Sequence, residues 1–230
     1  MPSLASKKSR DILDFLNLVQ GYTMFKVIFS LLFTVIMASS AELTPQTSCA
    51  FTQEGGLVVS FEAYKTPQKL GVKGGFDSVN FTPAAHNGSS FDDIFMGSTV
   101  SIDTRSVNSN NKERDAKLIK FFFDNLSSGV IRAKIVYIKS DTTEEDRPKT
   151  GALKVTIEMN GVTKEIEMKY NYSAGIFTAV GSIDMLDFGA NKALSAINQA
   201  CYDLHKGKTW SDVAIGFSTK VKYELCYVKK

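Results

Sequence analysis

The sequence has 230 residues, of which 43% are hydrophobic and 22% charged, and its formal net charge is +3. This composition is typical of a globular protein. Residues 1–41 carry four of the basic and two of the acidic residues, so 23 basic and 22 acidic residues remain after them. A chain so evenly charged lacks the basic surface of a nucleic-acid-binding protein.

The N-terminal region has the pattern of an export signal. Lys26 precedes an apolar run over residues 27–38, and the small residues Ser39-Ser40-Ala41 follow. A positive charge, a short apolar segment and small residues are typical of a signal peptide. The run is shorter than the roughly 20 residues that span a bilayer, although a membrane anchor is the alternative. We therefore predict an extended or misassigned N-terminus at 1–23, a signal peptide at 24–41 and one domain at 42–230.

The first part of that domain alternates between apolar and polar residues. Short strands are predicted over residues 49–53 and 57–64, with Gly55-Gly56 between them. A longer strand is predicted over 69–81, where Gly74-Gly75 indicates a bulge or a sharp bend. Residues 82–90 are expected to form a loop, and residues 98–104 another strand.

The middle of the chain contains a short helix and a clear hairpin. Residues 112–123 are rich in charge and helix formers and end in Phe121-Phe122-Phe123. A strand is expected over 130–140. In residues 151–172, apolar and charged residues alternate on both sides of Asn160-Gly161, a pair that favours the type I′ turn of a hairpin. Leu153, Val155, Ile157, Ile166, Met168 and Tyr170 should therefore face the interior.

The last part predicts a strand, a helix and a long final strand. The strand covers residues 176–188, an amphipathic helix covers 190–205, and the final strand covers 213–227. Leu194, Ile197, Cys201 and Leu204 lie on one stripe of the helix. Because a long unpaired strand edge promotes aggregation, we expect this strand to pair with the strand at Leu57. The predicted fold is an all-β, eight-stranded antiparallel barrel with two short helices, the longer after the seventh strand; a sandwich is the alternative.

Residues that could perform catalysis or bind a metal do not form a recognisable arrangement. Neither His86 nor His205 has a metal-ligand partner at metal-site spacing, so no metal is expected. The sequence also lacks a nucleophile elbow and a CxxC pair. The three cysteines Cys49, Cys201 and Cys226 allow three pairings, among which the sequence does not choose. We predict a protein that is not an enzyme and has no cofactor.

The aromatic residues suggest binding instead. The sequence has 16 phenylalanines, and seven of them, Phe76, Phe81, Phe91, Phe95, Phe121, Phe122 and Phe123, lie in one loop-and-helix region. A plain aromatic core explains any one of them equally well. Taken together, a barrel with two helices leaves room for an apolar pocket with a few polar groups at its mouth. Three consecutive aromatics cannot all face one side, so this triplet is predicted to line or gate the pocket.

Four segments of the chain carry a family resemblance. They are residues 101–107 (Ser-Ile-Asp-Thr-Arg-Ser-Val), 114–124 (with Arg-Asp-Ala-Lys-Leu and Phe-Phe-Phe-Asp), 151–164 (with Gly-Ala-Leu and Gly-Val-Thr-Lys) and 187–189 (Asp-Phe-Gly). In this order they resemble the motifs of the YceI-like polyisoprenoid-binding family. The resemblance implies a lipocalin-like barrel in the periplasm, with an apolar tunnel for a long isoprenoid chain. It implies binding or carriage rather than catalysis.

The expected ligand is therefore an isoprenoid or another long-chain lipid, whose polar end would lie near Arg114 and Lys117. The candidate ligand-binding residues are Phe76, Phe81, Phe91, Phe95, Arg114, Lys117, Phe121, Phe122, Phe123, Ile183, Met185, Phe188, Leu194, Ile197 and Phe217. A homodimer and transient membrane contact are also considered. The alternative function is a structural or stress-response barrel with a filled core and no specific ligand.

Overall fold

The computed structural model describes residues 50–141 and 150–224. The predicted N-terminus at 1–23, the predicted signal peptide at 24–41, and Cys49 and Cys226 lie outside the described residues. What the sequence predicts for these residues therefore stays a prediction.

One antiparallel sheet dominates the described residues and contains eleven strand segments. They are β1 (Ala50–Lys65), β2 (Leu70–Phe76), β3 (Val79–Thr82), β4 (Asn87–Gly88), β5 (Thr99–Asp103), β6 (Val107–Asn108), β7 (Val130–Ser140), β8 (Thr150–Met159), β9 (Val162–Ser173), β10 (Ile176–Asp184) and β11 (Thr209–Glu224). The strand order is β3-β5-β7-β8-β9-β10-β11-β1-β2-β6, and the short β4 pairs with β1.

The helices are short and connect or cover the strands. They are α1 (Phe91–Phe95), α2 (Lys112–Lys117), α3 (Asn191–Ala200) and α4 (Tyr202–His205), with a π-helical turn over Leu118–Phe122 and 3₁₀ turns over Thr104–Ser106, Phe123–Asn125 and Met185–Phe188. None of the helices in the described ranges is long and apolar enough to cross a membrane.

The predicted hairpin is confirmed in both its turn and its faces. Asn160 and Gly161 have φ angles of 54° and 76°, as a type I′ turn requires, and β8 pairs with β9 from Met159↔Val162 onward. The inward-predicted residues are buried or half-buried, and Glu158, Glu165 and Glu167 are exposed. Asn160 also ties the turn to the rest of the fold: its Nδ2 donates to the Phe188 carbonyl (2.8 Å), and its Oδ1 accepts from the Ser127 N–H (2.7 Å).

The strand predicted over residues 69–81 is in fact two strands with different partners. β2 pairs with β1, whereas β3, after Asp77 and Ser78, pairs with β5. The chain thus crosses from one end of the sheet order to the other, which curves the sheet into a barrel. No bulge occurs at Gly74: the β1–β2 register is regular there, and a Cβ at Gly74 would lie 2.5 Å from the Phe61 ring. A side chain at this position would require the Phe61 ring to move.

The predicted closure between the first and last strands is confirmed. β1 pairs with β11 from Ala50↔Glu224 to Lys65↔Thr209, with irregularities after Glu54 and after Ala63. The two predicted strands at 49–53 and 57–64 are therefore one strand, in which Gly55 takes a φ of 74°. The antiparallel barrel architecture agrees with the prediction, while the count of eight strands is not settled because the sheet has eleven segments.

Two predicted boundaries are wrong because local hydrogen bonds end the elements early, and one helix was not predicted. The strand from Ile176 stops at Asp184, whose carboxylate accepts from the Leu186 N–H (2.8 Å) and starts a 3₁₀ turn. The helix predicted over 190–205 breaks at Cys201 into α3 and α4, and Leu204 is 60% exposed rather than on a buried stripe. The helix that was not predicted is α1, which directly follows the predicted loop.

Candidate ligand cavity

The interior of the barrel contains a cavity of about 390 Å³. Alternating inward residues of β1 and β11 form one wall, including Val59, Ala63, Val213 and Ile215. These residues face inward because successive side chains of a strand point to opposite faces. Residues of β5, β7, β8 and β9, such as Val155 and Met168, form the other walls. The volume lies within the range of about 300–1,000 Å³ that is usual for ligand pockets.

Two helical segments cover this cavity. Phe122 and Phe123 end the π-helical turn, and Leu194 and Ile197 come from α3; all four line the cavity. The Phe123 N–H is shared between the carbonyls of Leu118 and Ile119, which gives the wide turn at this point. Phe122 and Phe123 are both buried there, whereas Phe121 is only half-buried. Such π-helical turns are frequent at functional sites.

An aromatic cluster fills the interior next to the cavity. Phe177 is fully buried, and its ring centroid lies 4.6 Å from that of Phe95, 4.8 Å from Tyr170 and 5.0 Å from Phe91. Phe95 also lines the cavity, so the cluster forms one of its boundaries. The space for a ligand therefore begins where this cluster ends.

Helix α1 brings Phe91 and Phe95 into that cluster. Its start is a capping box, in which the Asp93 N–H donates to Ser90 Oγ (3.1 Å) and the Ser90 N–H donates to Asp93 Oδ2 (3.0 Å). Hydrogen bonds from Ser89 and Ser90 hold the pKa of the Asp93 carboxyl below its usual value. The Ser-x-x-Asp spacing was a readable signal for a helix start. The sequence predicted only a loop over residues 82–90 and no helix after it.

Twelve of the fifteen candidate ligand-binding residues line the cavity, and three do not. The lining residues are Phe76, Phe81, Phe95, Arg114, Lys117, Phe122, Phe123, Ile183, Met185, Leu194, Ile197 and Phe217. Phe91 and Phe188 are instead buried in the packed core, and Phe121 lies under the ammonium of Lys120 (5.2 Å from the ring centroid). Contact with a ligand remains a prediction for the whole set.

Polar residues that had not been predicted gather at one part of the lining. They include Lys65, His205, Thr209 and Trp210. Lys65 could have been found, because it continues the inward alternation of Val59 and Ala63 along β1. The others depend on the break at Cys201 and on a bulge in β11, neither of which the sequence predicted.

His205 is held in place by a short hydrogen-bond chain. Thr209 Oγ1 donates to Asn198 Oδ1 (2.9 Å), and His205 Nδ1 lies 2.7 Å from Thr209 Oγ1. Because the hydroxyl proton is used on Asn198, the imidazole donates from Nδ1 and its Nε2 is unprotonated in the neutral ring. Burial lowers the pKa of His205, and the positive charges of Lys65 and Lys117 lower it further.

Cys201 is a buried free thiol in the cavity wall. Within residues 50–141 and 150–224, no group of three or more histidine, cysteine or acidic residues could hold a metal ion. The cavity thus offers apolar contact over most of its wall and a cationic region at Lys65, Arg114 and Lys117. This arrangement suits a molecule with a long apolar part.

Comparison with known proteins agrees with this architecture. The Campylobacter jejuni YCEI protein shares 19% identity with a TM-score of 0.50, covering 70% of this chain and 89% of that one. A polyisoprenoid binding domain from Saccharophagus degradans shares 13% identity (77% and 99% covered, TM-score 0.48), and Burkholderia cenocepacia BcnA shares 14% (72% and 96% covered, TM-score 0.47). At 19% identity, the likeness to the Campylobacter jejuni protein concerns the fold alone. No curated protein matches the sequence.

The family assignment comes from a sequence model rather than from these structures. The model of the YceI-like domain matches residues 52–223, from the third residue of β1 to the penultimate residue of β11. The match covers every strand of the barrel and includes the four segments whose motifs suggested the same family. The chain belongs to the YceI-like domain family.

Proposed function

We propose that this protein binds the apolar chain of an isoprenoid-type lipid inside its barrel and acts as a carrier or store, without catalysis. The single observation that carries the proposal is the cavity of about 390 Å³ between the sheet and the two covering helical segments. Family membership and the motif resemblance support an isoprenoid as the chain. Burial of apolar carbon contributes roughly 0.8 kcal/mol per CH₂ to the free energy of binding. Contact between the lipid chain and the apolar wall of the cavity is therefore a sufficient source of affinity.

Exchange of such a lipid requires contact with a membrane, and we include this contact in the proposal. A homodimer is a further expectation from the sequence analysis.

Location in the periplasm is proposed on the N-terminal pattern alone. If residues 24–41 are a signal peptide, the exported protein should begin at Glu42. N-terminal sequencing of protein isolated from cells tests this, and an intact Met1 in the membrane fraction would contradict it.

The covering phenylalanines give a direct test of binding. In Phe122→Ala and Phe123→Ala, we expect a large loss of co-purified lipid and only a small decrease in melting temperature. The reason is that one side of each ring faces the cavity. A Phe→Ala change in a packed core costs roughly 3–5 kcal/mol, so a smaller loss is expected here. Organic extraction followed by mass spectrometry measures the lipid, and thermal melting of delipidated protein measures stability.

Phe51→Ala is the matched control, because this side chain is 2% exposed and packs against Phe91 (4.7 Å between ring centroids) without lining the cavity. It should lose more stability than either variant. If no lipid is extracted from the wild-type protein and the delipidated protein binds none, the proposal fails, and the filled-core structural domain is the better description. Unchanged lipid content in both cavity variants, with loss of stability, leads to the same conclusion.

A further inference from the structure

One end of the barrel carries exposed apolar side chains beside an opening of the cavity. Leu204 lines the cavity and is nevertheless 60% exposed, so the cavity reaches the surface at this residue. Tyr202, also on α4, is 60% exposed, and Leu70, the first residue of β2, is 57% exposed. Single exposed apolar residues are common on protein surfaces, so their meaning depends on whether they lie together.

Backbone pairing places these residues on one rim of the barrel. Lys65 of β1 lies opposite both Leu70 and Thr209, and directly opposite residues of antiparallel strands point to the same face. Leu70 is therefore on the same side of the sheet as Lys65 and Thr209, which both line the cavity. Thr209 Oγ1 in turn lies 2.7 Å from Nδ1 of His205, the neighbour of Leu204 in α4. A continuous row of contacts thus joins Leu70 to α4.

Two turns bring lysines to the same rim. The Thr66 N–H donates to the Lys208 carbonyl (2.9 Å), which ties the turn between β1 and β2 to the turn between α4 and β11. Lys69 in the first turn, and Lys206 and Lys208 in the second, are exposed. The ring centroid of Trp210 lies 5.1 Å from Nζ of Lys69 and 4.6 Å from Nζ of Lys208. We call the exposed residues of this rim the mouth surface: Leu70, Tyr202, Leu204, Lys69, Lys206 and Lys208.

The charge of the mouth surface is positive. Lys69 pairs with Asp212 (2.5 Å), whereas in residues 50–141 and 150–224 none of the ion pairs involves Lys206 or Lys208. Asp203 is the exposed acidic residue of α4. Two lysines outside ion pairs therefore face one such carboxylate. The adjoining cavity wall has the same sign, because a single acidic residue, Glu113, accompanies its basic residues Lys65, Arg114, Lys117 and Lys134.

This combination matches the surface of a bilayer that contains anionic lipids. Apolar and aromatic side chains insert at the boundary between headgroups and acyl chains, while lysines keep their ammonium groups among the phosphates. Anionic lipids attract such lysines electrostatically. A second copy of the chain fits less well, since a two-fold interface places the same lysines against each other.

We propose that the mouth surface docks the protein on an anionic membrane, with the opening of the cavity directed at the bilayer. A lipid chain then passes between bilayer and cavity without crossing water. This inference rests on the proposed function, to which it adds the chemistry of the membrane and the orientation of the protein on it. Docking itself requires no lipid in the cavity, so delipidated protein serves for the test.

Vesicle flotation measures the docking directly. Delipidated protein is mixed with vesicles of phosphatidylcholine alone, or with vesicles of equal parts phosphatidylcholine and phosphatidylglycerol, which are anionic. We expect about tenfold stronger binding to the anionic vesicles. Added salt should weaken this binding, because it screens the attraction between lysines and phosphates. A calorimetric titration with farnesol, without vesicles, measures the cavity separately.

The apolar part of the mouth surface is tested by L70S/Y202S. Neither residue lines the cavity, so binding to anionic vesicles should fall about tenfold while farnesol affinity is unchanged. The matched control is V58S/V180S, because Val58 and Val180 are 66% and 57% exposed on β1 and β10 and also lie outside the cavity wall. This control should bind vesicles and farnesol like the wild-type protein.

The lysines are tested by K206Q/K208Q, which should lose about tenfold in binding to anionic vesicles and keep its farnesol affinity. Neither lysine lines the cavity. The control K169Q/K220Q removes the same charge from exposed positions on β9 and β11 and should bind both as the wild-type protein does. Circular dichroism melting shows whether each variant is folded, and if one mouth variant is not, the other decides the result.

The other outcomes overturn different statements. If the wild-type protein binds farnesol but floats with neither vesicle, or if the controls lose as much vesicle binding as the mouth variants, the docking surface is overturned and lipid binding stands. Equal flotation with both vesicle compositions overturns the anionic membrane as the partner. A wild-type dimer that L70S/Y202S converts to a monomer, without vesicle binding, makes the mouth surface an interface between copies instead. Vesicle binding that depends on the mouth surface, without farnesol binding, leaves the docking surface and counts against the proposed function.

Discussion

Replacing Phe177 by alanine should lower the free energy of unfolding by about 3–5 kcal/mol, the range for a fully buried phenylalanine. Its ring has no exposed surface and contacts the rings of Phe91, Phe95, Tyr170 and Phe217, with centroid distances from 4.6 to 6.1 Å. Aromatic pairs of this kind add stability beyond the area that they bury. The loss is measured by urea or thermal unfolding monitored by circular dichroism.

Phe121→Ala is the control, since Phe121 is half-buried and lies outside both the cluster and the cavity wall. It should cost clearly less than Phe177→Ala. Equal losses in the two variants would mean that the aromatic cluster has no special role in holding the barrel together. The boundary that we assign to the cavity would then lack its structural basis.

Filling the cavity should abolish most lipid binding. Ala63 points into the cavity from β1 between Val72 of β2 and Val213 of β11, so Ala63→Phe places a ring where the ligand chain is proposed to lie. We expect at least a tenfold loss of co-purified lipid and of farnesol affinity. Where the ring does not fit the available space, overpacking costs about 1–3 kcal/mol of stability. Extraction with mass spectrometry and a farnesol titration measure the two effects.

Thr178→Phe is the matched control, because Thr178 is exposed on β10 opposite Ser218 and Asn171, and it does not line the cavity. A strand surface tolerates an added aromatic side chain well. This variant should retain its lipid. If Ala63→Phe retains as much lipid as Thr178→Phe, the ligand does not occupy the cavity.

Short-range patterns account for the elements that could be predicted. The β8–β9 hairpin follows from alternation on both sides of Asn160-Gly161, since neighbouring residues alone set the faces and the turn. The pairing of β11 with β1 was also predictable, because a long alternating strand requires a partner for its edge. The resemblance to the family motifs predicted a barrel before the positions of its strands were known.

The candidate site was predictable only in composition. Alternation identifies which side chains face inward, but not which part of the interior they reach. Phe91, Phe188 and Phe95 are all buried and aromatic, yet only Phe95 meets the cavity, because α1 and the strand partners place the others in filled core. In the same way, Lys65 could be placed on the inner face of β1 without any indication of its neighbours.

The sequence by itself determined the antiparallel strand pattern, the hairpin and the apolar character of the interior, because these depend on side-chain alternation and local turn chemistry. Its motifs identified the family. Only the tertiary structure decided that residues 69–81 split between two partners, that the helix breaks at Cys201, and that Lys65 lies opposite Thr209, the hydrogen-bond partner of His205. Each of these depends on residues distant in sequence, which compete with local preference for hydrogen bonds and space. The cavity exists only where those distant elements come together.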